Sequence, residues 1–234
     1  MHALWVLAHP KADSLNARLR DLGTATLQGR GWQVEESDLY RDGWNPILVD
    51  EGGSDVAAEQ AKLGRADLVV LQFPLWWYGM PAILKGWVDR VFQSGFAFDV
   101  PDPTTGRARK YGDGGLVGRR ALALVTAGDR PGSLEPRGIS GSIEDVLWPL
   151  LHGTFWYTGM EALRPHLIPQ ARGLRSDRLT DIEADLAHRL HHVMDEPALP
   201  YLPMDNAHYD HAIRLLPHIA PDHTGNQAHL DQTG

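Results

Sequence analysis

An almost unbroken apolar run leads into an aromatic segment and then into a helical pattern. Residues 68–73 read LVVLQF, as expected of a parallel strand that helices cover on both faces. After Pro81 the apolar residues fall on one face of a predicted helix: Ile83, Leu84, Trp87, Val88, Val91 and Phe92. Three adjacent rings, Trp76, Trp77 and Tyr78, therefore follow the carboxyl end of a predicted strand. Open α/β sheets bind ligands at that edge, and flat rings there favour a flat ligand.

Strand and helix patterns alternate along the rest of the chain. Strands are predicted at residues 3–8, 32–39, 67–73 and 120–127, with a fifth at 161–167. Helices are predicted after Ser14, at residues 54–64, after Pro81 and at residues 179–193. This alternation predicts an α/β fold, a doubly wound sheet of five parallel strands with helices on both faces.

Composition favours one domain with a tail. The 234 residues are 43% hydrophobic, and the patterns continue without a break to residue 196. We therefore expect a domain at 1–196 and a C-terminal arm at 197–234, rich in proline and histidine, that is extended or partly disordered. A net charge of -8 argues against a nucleic-acid partner, and the absence of cysteine excludes thiolate catalysis. No signal-peptide pattern or run of about 20 apolar residues occurs, so we expect a cytoplasmic protein without membrane insertion.

The first strand-to-helix loop carries polar residues at a helix N-terminus. Its sequence, AHPKADSLNARL, lacks G-x-G-x-x-G spacing, which makes a standard Rossmann site for NAD a weak interpretation. His9, Ser14 and Asn16 surround free backbone N–H groups that favour a phosphate. For the loop alone, simple capping by Asp13 or Ser14 is the favoured explanation. The position of the loop at the switch point of a doubly wound sheet reverses that preference.

The loop after the fourth strand is built from small residues. Thr126, Ala127 and Gly128 begin a segment of turn formers whose backbone can approach a ring edge closely. Backbone amides and the Thr126 hydroxyl aimed at the N1/O2 edge of a flavin would stabilise the charge that develops on reduction. An ordinary strand-to-helix loop explains the same residues about as well.

Aromatic residues and histidines each have a simpler explanation. The rings at 76–78 can be core or interface residues, but two tryptophans directly after Pro74 and Leu75 are hard to bury together, so at least one should face a cavity or a partner. Three histidines share helical spacing without a cysteine or a firmly placed carboxylate, so no metal site is predicted: His188, His191 and His192. The tail histidines are best explained as a solvated surface: His208, His211, His218, His223 and His229.

Four segments together resemble the NAD(P)H:quinone oxidoreductase (DT-diaphorase) family of flavodoxin-like flavoproteins. They are VLAHP with Ser14, Leu15 and Asn16 following; GWQVEESDLY with NPI after it; VAAEQAKLGRADLVVLQFPLWWYGMPAILKGWVDRVF; and GISGSIEDVLWPL. The likeness covers most of residues 3–203, and the third segment is long and highly specific.

The resemblance implies a homodimer with active sites at the subunit interface and one flavin per subunit, FAD with FMN as the alternative. It implies that NAD(P)H, the co-substrate, passes a hydride to flavin N5, and that a quinone or similar flat acceptor then takes two electrons in a ping-pong cycle. It places His9, Ser14, Leu15 and Asn16 at the pyrophosphate and ribityl side. The isoalloxazine would be held by Pro74, Leu75, Trp76, Trp77 and Tyr78, with Thr126, Ala127 and Gly128 at its pyrimidine edge.

The chain departs from the family at two positions linked to catalysis. Well-known members carry a tyrosine and a histidine where this sequence has Leu134 and Ser140. Ser140, predicted to be catalytic together with Tyr78, donates a hydrogen bond but cannot act as an imidazole acid. The segment at 46–56 is also short. A truncated loop there would cover the adenosine half of FAD less well, which keeps FMN as the alternative. A flavin-binding ancillary subunit of a potassium-efflux transporter is the main alternative function, and a flavodoxin-type electron carrier is a weaker one.

Overall fold

The computed structural model describes residues 1–48 and 53–231. Six strands occur in these ranges: β1 His2–Leu7, β2 Gln33–Asp38, β3 Leu68–Pro74, β4 Arg120–Thr126, β5 Glu161–Ala162 and β6 His166–Ile168. The α-helices are α1 Leu15–Gly29, α2 Ser54–Arg65, α3 Ala82–Val91, α4 Ile143–Val146, α5 Trp148–Leu150 and α6 Ser176–His192. Short 3-10 helices lie at Pro131–Leu134 and Gly225–His229, and a π-helical segment lies at Leu151–Trp156.

The sheet has the predicted doubly wound order. Its strands run β2-β1-β3-β4-β5, all in parallel, and β6 also pairs with β4. This is the flavodoxin-like order, whose switch point lies between β1 and β3. The predicted fifth strand is divided into β5 and β6 because Pro165, which lacks an N–H, falls between them.

Helices cover both faces of the sheet and produce two apolar layers. On one face α1 and α6 enclose Trp5 with Leu19 and Leu186. On the other face α2 and α3 enclose Leu63 and Trp87. Every residue of β3 is buried, so the apolar run that predicted a central strand is confirmed.

Buried Arg90 fixes the loop that precedes α2. Its guanidinium lies 4.6 Å from the centre of the Trp44 ring and 2.8 Å from the Asp55 carboxylate, and it donates to the Asn45 carbonyl. The predicted short segment at 46–56 continues from this anchor, but residues 49–52 within it lie outside the described residues.

The C-terminal arm packs against the sheet domain as irregular structure as far as Asp231. The Leu199 N–H donates to the Ala162 carbonyl at 2.7 Å, and Tyr201 pairs with Leu230 in an antiparallel bridge. Tyr201 and Ala228 are buried by these contacts. Among the described residues, no helix is both long and apolar enough to cross a membrane.

Candidate active site

A cleft of about 520 Å³ opens at the carboxyl ends of β1, β3 and β4. Parallel strands bring the loops that follow them to this one edge, so residues far apart in sequence meet there. The cleft brings together ten of the residues predicted to bind the cofactor: His9, Ser14, Leu15, Asn16, Pro74, Leu75, Trp76, Thr126, Ala127 and Gly128.

The N-terminus of α1 forms one end of the cleft. The Ser14 hydroxyl accepts from the Ala17 N–H at 3.1 Å, so the interpretation of Ser14 as a cap is confirmed. The backbone N–H groups of Leu15 and Asn16 have no acceptor within the part of the chain that the structure describes. No acidic residue stands in the first turn of the helix. The same end can therefore both be capped and accept an anion.

The aromatic segment is a tight turn that points its rings outward. The Trp76 and Gly79 backbones exchange hydrogen bonds, at 3.3 Å from Trp76 N–H and 3.1 Å from Gly79 N–H. Between them Trp77 and Tyr78 have φ values of 52° and 60°, a left-handed conformation that is costly for bulky residues. Trp77 is 96% exposed, and Trp76 lines the main cleft, which confirms that at least one of these rings faces a cavity.

The three rings of the turn occupy different places. Trp76 lines the main cleft, where its ring centre lies 6.3 Å from that of His9. Trp77 lines an adjoining outer cleft with Asp129 and Arg172. Tyr78 lines neither of these two clefts. The turn therefore supplies a wall to the main cleft and a separate surface outside it.

Tyr78 instead contacts the second residue predicted to be catalytic. Its Oη atom lies 3.1 Å from the Ser140 Oγ atom, and either hydroxyl can be the donor. The Ser140 loop is held by a hydrogen bond from the Ser140 N–H to the Ser133 carbonyl at 3.0 Å. A Cβ atom at Gly138 would lie 2.3 Å from that same carbonyl oxygen, so this tight loop requires glycine there. The pair lies together but outside the main cleft.

Leu134 does not take part in the site. Only 3% of its surface is exposed, and it packs in the core between the sheet and α3. Leu134 is not among the residues that line the cleft. The structure therefore provides no group from position 134 that would assist Ser140.

The floor of the cleft combines one hydroxyl with small residues. Asn16 donates from Nδ2 to the Thr126 Oγ1 atom at 2.9 Å, and both side chains are buried. At Gly128 a Cβ atom would meet only the Arg172 Nε atom, at 3.9 Å. The backbone at Ala127 and Gly128 is therefore accessible to a flat ring edge.

Sequence reasoning missed four lining residues: Pro10, Lys11, Ala171 and Arg172. The last two follow β6, and the rule that loops after neighbouring parallel strands meet was the signal that could have found them. Arg172 is exposed and has no ion pair within the described ranges. It is shared by the main and outer clefts.

A side groove continues from the main cleft along α1. It measures about 440 Å³ and shares Ser14, Leu15 and Ala171 with the cleft. Leu174 and Leu179 supply apolar surface on its far side. The two cavities together form one path from the aromatic turn past the N-terminus of α1.

Among the described residues, His9 is the only histidine that lines this path. Within the described residues no group of three potential ligands could hold a metal ion. His152 stacks on Trp148 with ring centres 4.4 Å apart, and burial together with the nearby His229 lowers the pKa of His152 to about 4. His229 contacts the Tyr209 hydroxyl at 2.9 Å. The interpretation of His229 as a solvated tail residue was therefore wrong, because the arm folds back against the domain.

Known proteins of similar sequence and structure indicate the family. Residues 1–193 match the family described as having a flavodoxin-like fold. The chain is 35% identical to ribosyldihydronicotinamide dehydrogenase-like protein traD of Penicillium crustosum, with 89% of this chain and 87% of the relative covered. It is 33% identical to NAD(P)H dehydrogenase (quinone) 1 of Cavia porcellus, with 86% of this chain and 80% of the relative covered.

A solved structure from Klebsiella pneumoniae, assigned as a quinone reductase, superposes with a TM-score of 0.93 at 35% identity. The match covers 99% of this chain and 100% of the other. The likeness thus extends from the sheet through the loops of the cleft and the arm. The chain belongs to the NAD(P)H:quinone oxidoreductase family of flavodoxin-like proteins and is an oxidoreductase of that family.

Proposed function

We propose that this protein is a flavin-dependent NAD(P)H:quinone oxidoreductase that moves two electrons in a ping-pong cycle. The observation that carries the proposal is the main cleft, where the Trp76 ring, the α1 N-terminus and the Thr126 hydroxyl face one cavity. These are an apolar wall, an anion-binding end and a polar edge, the three features that a flavin requires. When bound, the flavin supplies the ability to accept a hydride from one substrate and return it to another.

The residues around the cleft bind and orient the cofactor. The free N–H groups of Leu15 and Asn16 would bind the phosphate oxygens of the cofactor at the α1 N-terminus. Trp76 would pack against the ring system, and the backbone at Ala127 and Gly128 would lie at its pyrimidine edge. His9, beside Trp76, adds a hydrogen-bonding group near the ribityl chain. The fit rests on the donor set and on the open backbone at Gly128.

We favour FAD over FMN because the side groove extends the cleft. An adenosine half would enter the space lined by Leu174 and Leu179, beyond the α1 N-terminus that binds the phosphates. FMN would leave this groove empty. Mass identification of the flavin released from the purified protein decides between the two, and FMN as the sole species would overturn the preference.

Outside the flavin cleft, the outer cleft is suited to the substrates. Trp77 gives it an aromatic surface, and Arg172 and Asp129 give it charged groups. We expect nicotinamide and quinone to occupy this surface in turn, each held flat against the exposed face of the bound ring. Holding each reactant at contact distance in a fixed orientation is the main contribution that the protein makes to the rate.

We further propose a cytoplasmic homodimer whose interface covers the mouth of the cleft. Trp77 and Ile139 are 96% and 97% exposed in the single chain, and half-exposed Tyr78 lies in the same region, because it contacts Ser140. Apolar side chains this exposed and this close together are typical of a surface that is covered in the functional assembly. Sedimentation equilibrium tests the proposal: a mass near twice 25.9 kDa supports it, and a monomer at micromolar concentration contradicts it.

The experiment that tests the function uses the flavin-loaded protein with several donors. NADH, NADPH and dihydronicotinamide riboside are compared as electron donors, each with the same simple quinone as acceptor. The relatives are named for dehydrogenation of NAD(P)H and of ribosyldihydronicotinamide. Turnover with at least one donor supports the enzyme. The alternative function is an ancillary subunit of a potassium-efflux transporter. Two results together would favour that alternative. The protein would bind flavin fully but show no turnover with any donor, and it would co-purify with membranes only when the transporter partner is present.

A further inference from the structure

Four buried side chains form a continuous line of hydrogen bonds beneath the cleft. They belong to four different elements: Trp5 on β1, Gln72 on β3, Asn16 on α1 and Thr126 on β4. Trp5 and Gln72 are fully buried, and Asn16 and Thr126 are nearly so. Polar groups this deep are costly unless they are paired. We call this line the polar chain.

An indole group fixes the direction of the polar chain at its deep end. The Trp5 Nε1–H donates to Gln72 Oε1 at 2.7 Å. Because an indole nitrogen only donates, the carbonyl oxygen of the Gln72 amide must face Trp5. The Gln72 NH₂ group therefore faces Asn16, where it donates to the backbone carbonyl at 2.6 Å and lies 3.5 Å from Oδ1.

The same argument fixes the orientation of the Asn16 side-chain amide. A reversed Asn16 amide would set its NH₂ group against the Gln72 NH₂ group, two donors facing each other. The observed orientation instead sends the Asn16 NH₂ group to Thr126 Oγ1 at 2.9 Å. Thr126 is thereby the acceptor in this contact, and its own hydroxyl hydrogen remains available on the side that lines the cleft.

We propose that Trp5 and Gln72 are positioning residues that make the Thr126 hydroxyl a hydrogen-bond donor to the bound flavin. This inference rests on the proposed function and adds a role for two residues that never touch the cofactor. A donor at the pyrimidine edge binds the reduced, more negative flavin more tightly than the oxidised one. The polar chain therefore raises the ratio of the reduced-flavin affinity to the oxidised-flavin affinity.

The test measures this affinity ratio from the midpoint potentials of free and bound flavin. Trp5→Phe keeps a ring but removes the N–H that orients Gln72, and we expect the ratio to fall about tenfold, ~30 mV for a two-electron couple. Trp87→Phe is the matched control. Trp87 is also fully buried, and its indole N–H donates to Glu59 at 2.8 Å, away from the polar chain. We expect the control to change the ratio less than twofold.

A second comparison, made in the Thr126→Val variant, separates the loss of side-chain orientation in the polar chain from general loosening of the core. Thr126→Val removes the hydroxyl with little change in shape, so Trp5→Phe should have no further effect on the ratio in that background. An effect of Trp5→Phe that persists beside Thr126→Val, or one no larger than that of Trp87→Phe, would overturn the inference. If Trp5→Phe does not fold, Gln72→Met is put through the same comparisons. Failure to bind any flavin would instead refute the proposed function.

Discussion

The Tyr78 hydroxyl lies 3.1 Å from the Ser140 hydroxyl, across 62 residues of sequence. This contact joins the aromatic turn after β3 to the tight loop that follows β4. The same turn places Trp76 in the cofactor cleft. Ser140 therefore contacts the turn that forms one wall of the proposed flavin site. The hydroxyl pair therefore lies beside the exposed aromatic turn.

Ser140→His is expected to raise quinone turnover. An imidazole can donate a proton near neutral pH, which a serine hydroxyl cannot do. We expect a gain of about tenfold or less, ~1.4 kcal/mol of barrier, because Leu134 is buried and supplies no assisting group. Stopped-flow measurement of the two half-reactions identifies the accelerated step. Tyr78→Phe is the control that removes only the Tyr78 hydroxyl, and unchanged rates for Ser140→His would place position 140 outside the reaction.

Trp77→Ala is expected to weaken substrate binding while flavin is retained. Of these two clefts Trp77 lines only the outer one, whereas Trp76 lines both. We expect KM for quinone to rise up to about tenfold, ~1.4 kcal/mol, in the Trp77 variant. Trp76→Ala is the matched comparison and should lose flavin. Equal loss of flavin from both variants would contradict the division into two clefts.

Local patterns predicted most of the fold. The central strand and the helix after Pro81 followed from periodicity alone, because β3 is buried throughout and α3 buries one face. The cleft followed from topology, since parallel strands bring their following loops to one edge. Neither step depended on a detail of side-chain packing.

Other features depended on geometry that no local pattern encodes. The 3-10 turn Pro131–Leu134 directs Leu134 into the core, although motif spacing had aligned it with a catalytic position. Arg172 lines the cleft from the loop after β6, a short strand that local patterns had not separated from β5. The packing of the arm could not be predicted because its composition is polar. Only a few apolar residues, among them Tyr201, hold it against the domain.

Acid should destabilise the fold in part through His152. Its pKa is lowered from the usual 6.5 to about 4, mainly by burial. The unfolded state binds this proton more readily, so the contribution is complete above pH 6.5 and is lost as the pH falls toward 4. His152→Phe keeps a ring against Trp148 without a titrating group. Urea unfolding between pH 7 and 4.5 should show a shallower decline for the variant, and identical slopes would contradict the assignment.

Removal of the chain from Thr224 onward is expected to destabilise the protein. Ala228 is buried, and the His229 carbonyl accepts from the Leu202 N–H at 3.1 Å. At the level of single residues, His229→Ala should cost about 1 kcal/mol through its lost contact with Tyr209. His223→Ala changes an exposed histidine of the same arm and should be silent. Equal unfolding free energies for the two variants would show that the arm is not held by His229.

The most direct test of the account follows the flavin itself through both half-reactions. The purified protein is dialysed against a chelator, its cofactor is identified by mass, and the bound flavin is mixed anaerobically with NADH or NADPH in a stopped-flow instrument. We predict bound FAD whose absorbance is bleached by the nicotinamide without quinone and restored by one equivalent of added quinone. A protein that contains no flavin and takes up none, or a bound flavin that neither these nicotinamides nor dihydronicotinamide riboside can reduce, would contradict the central claim.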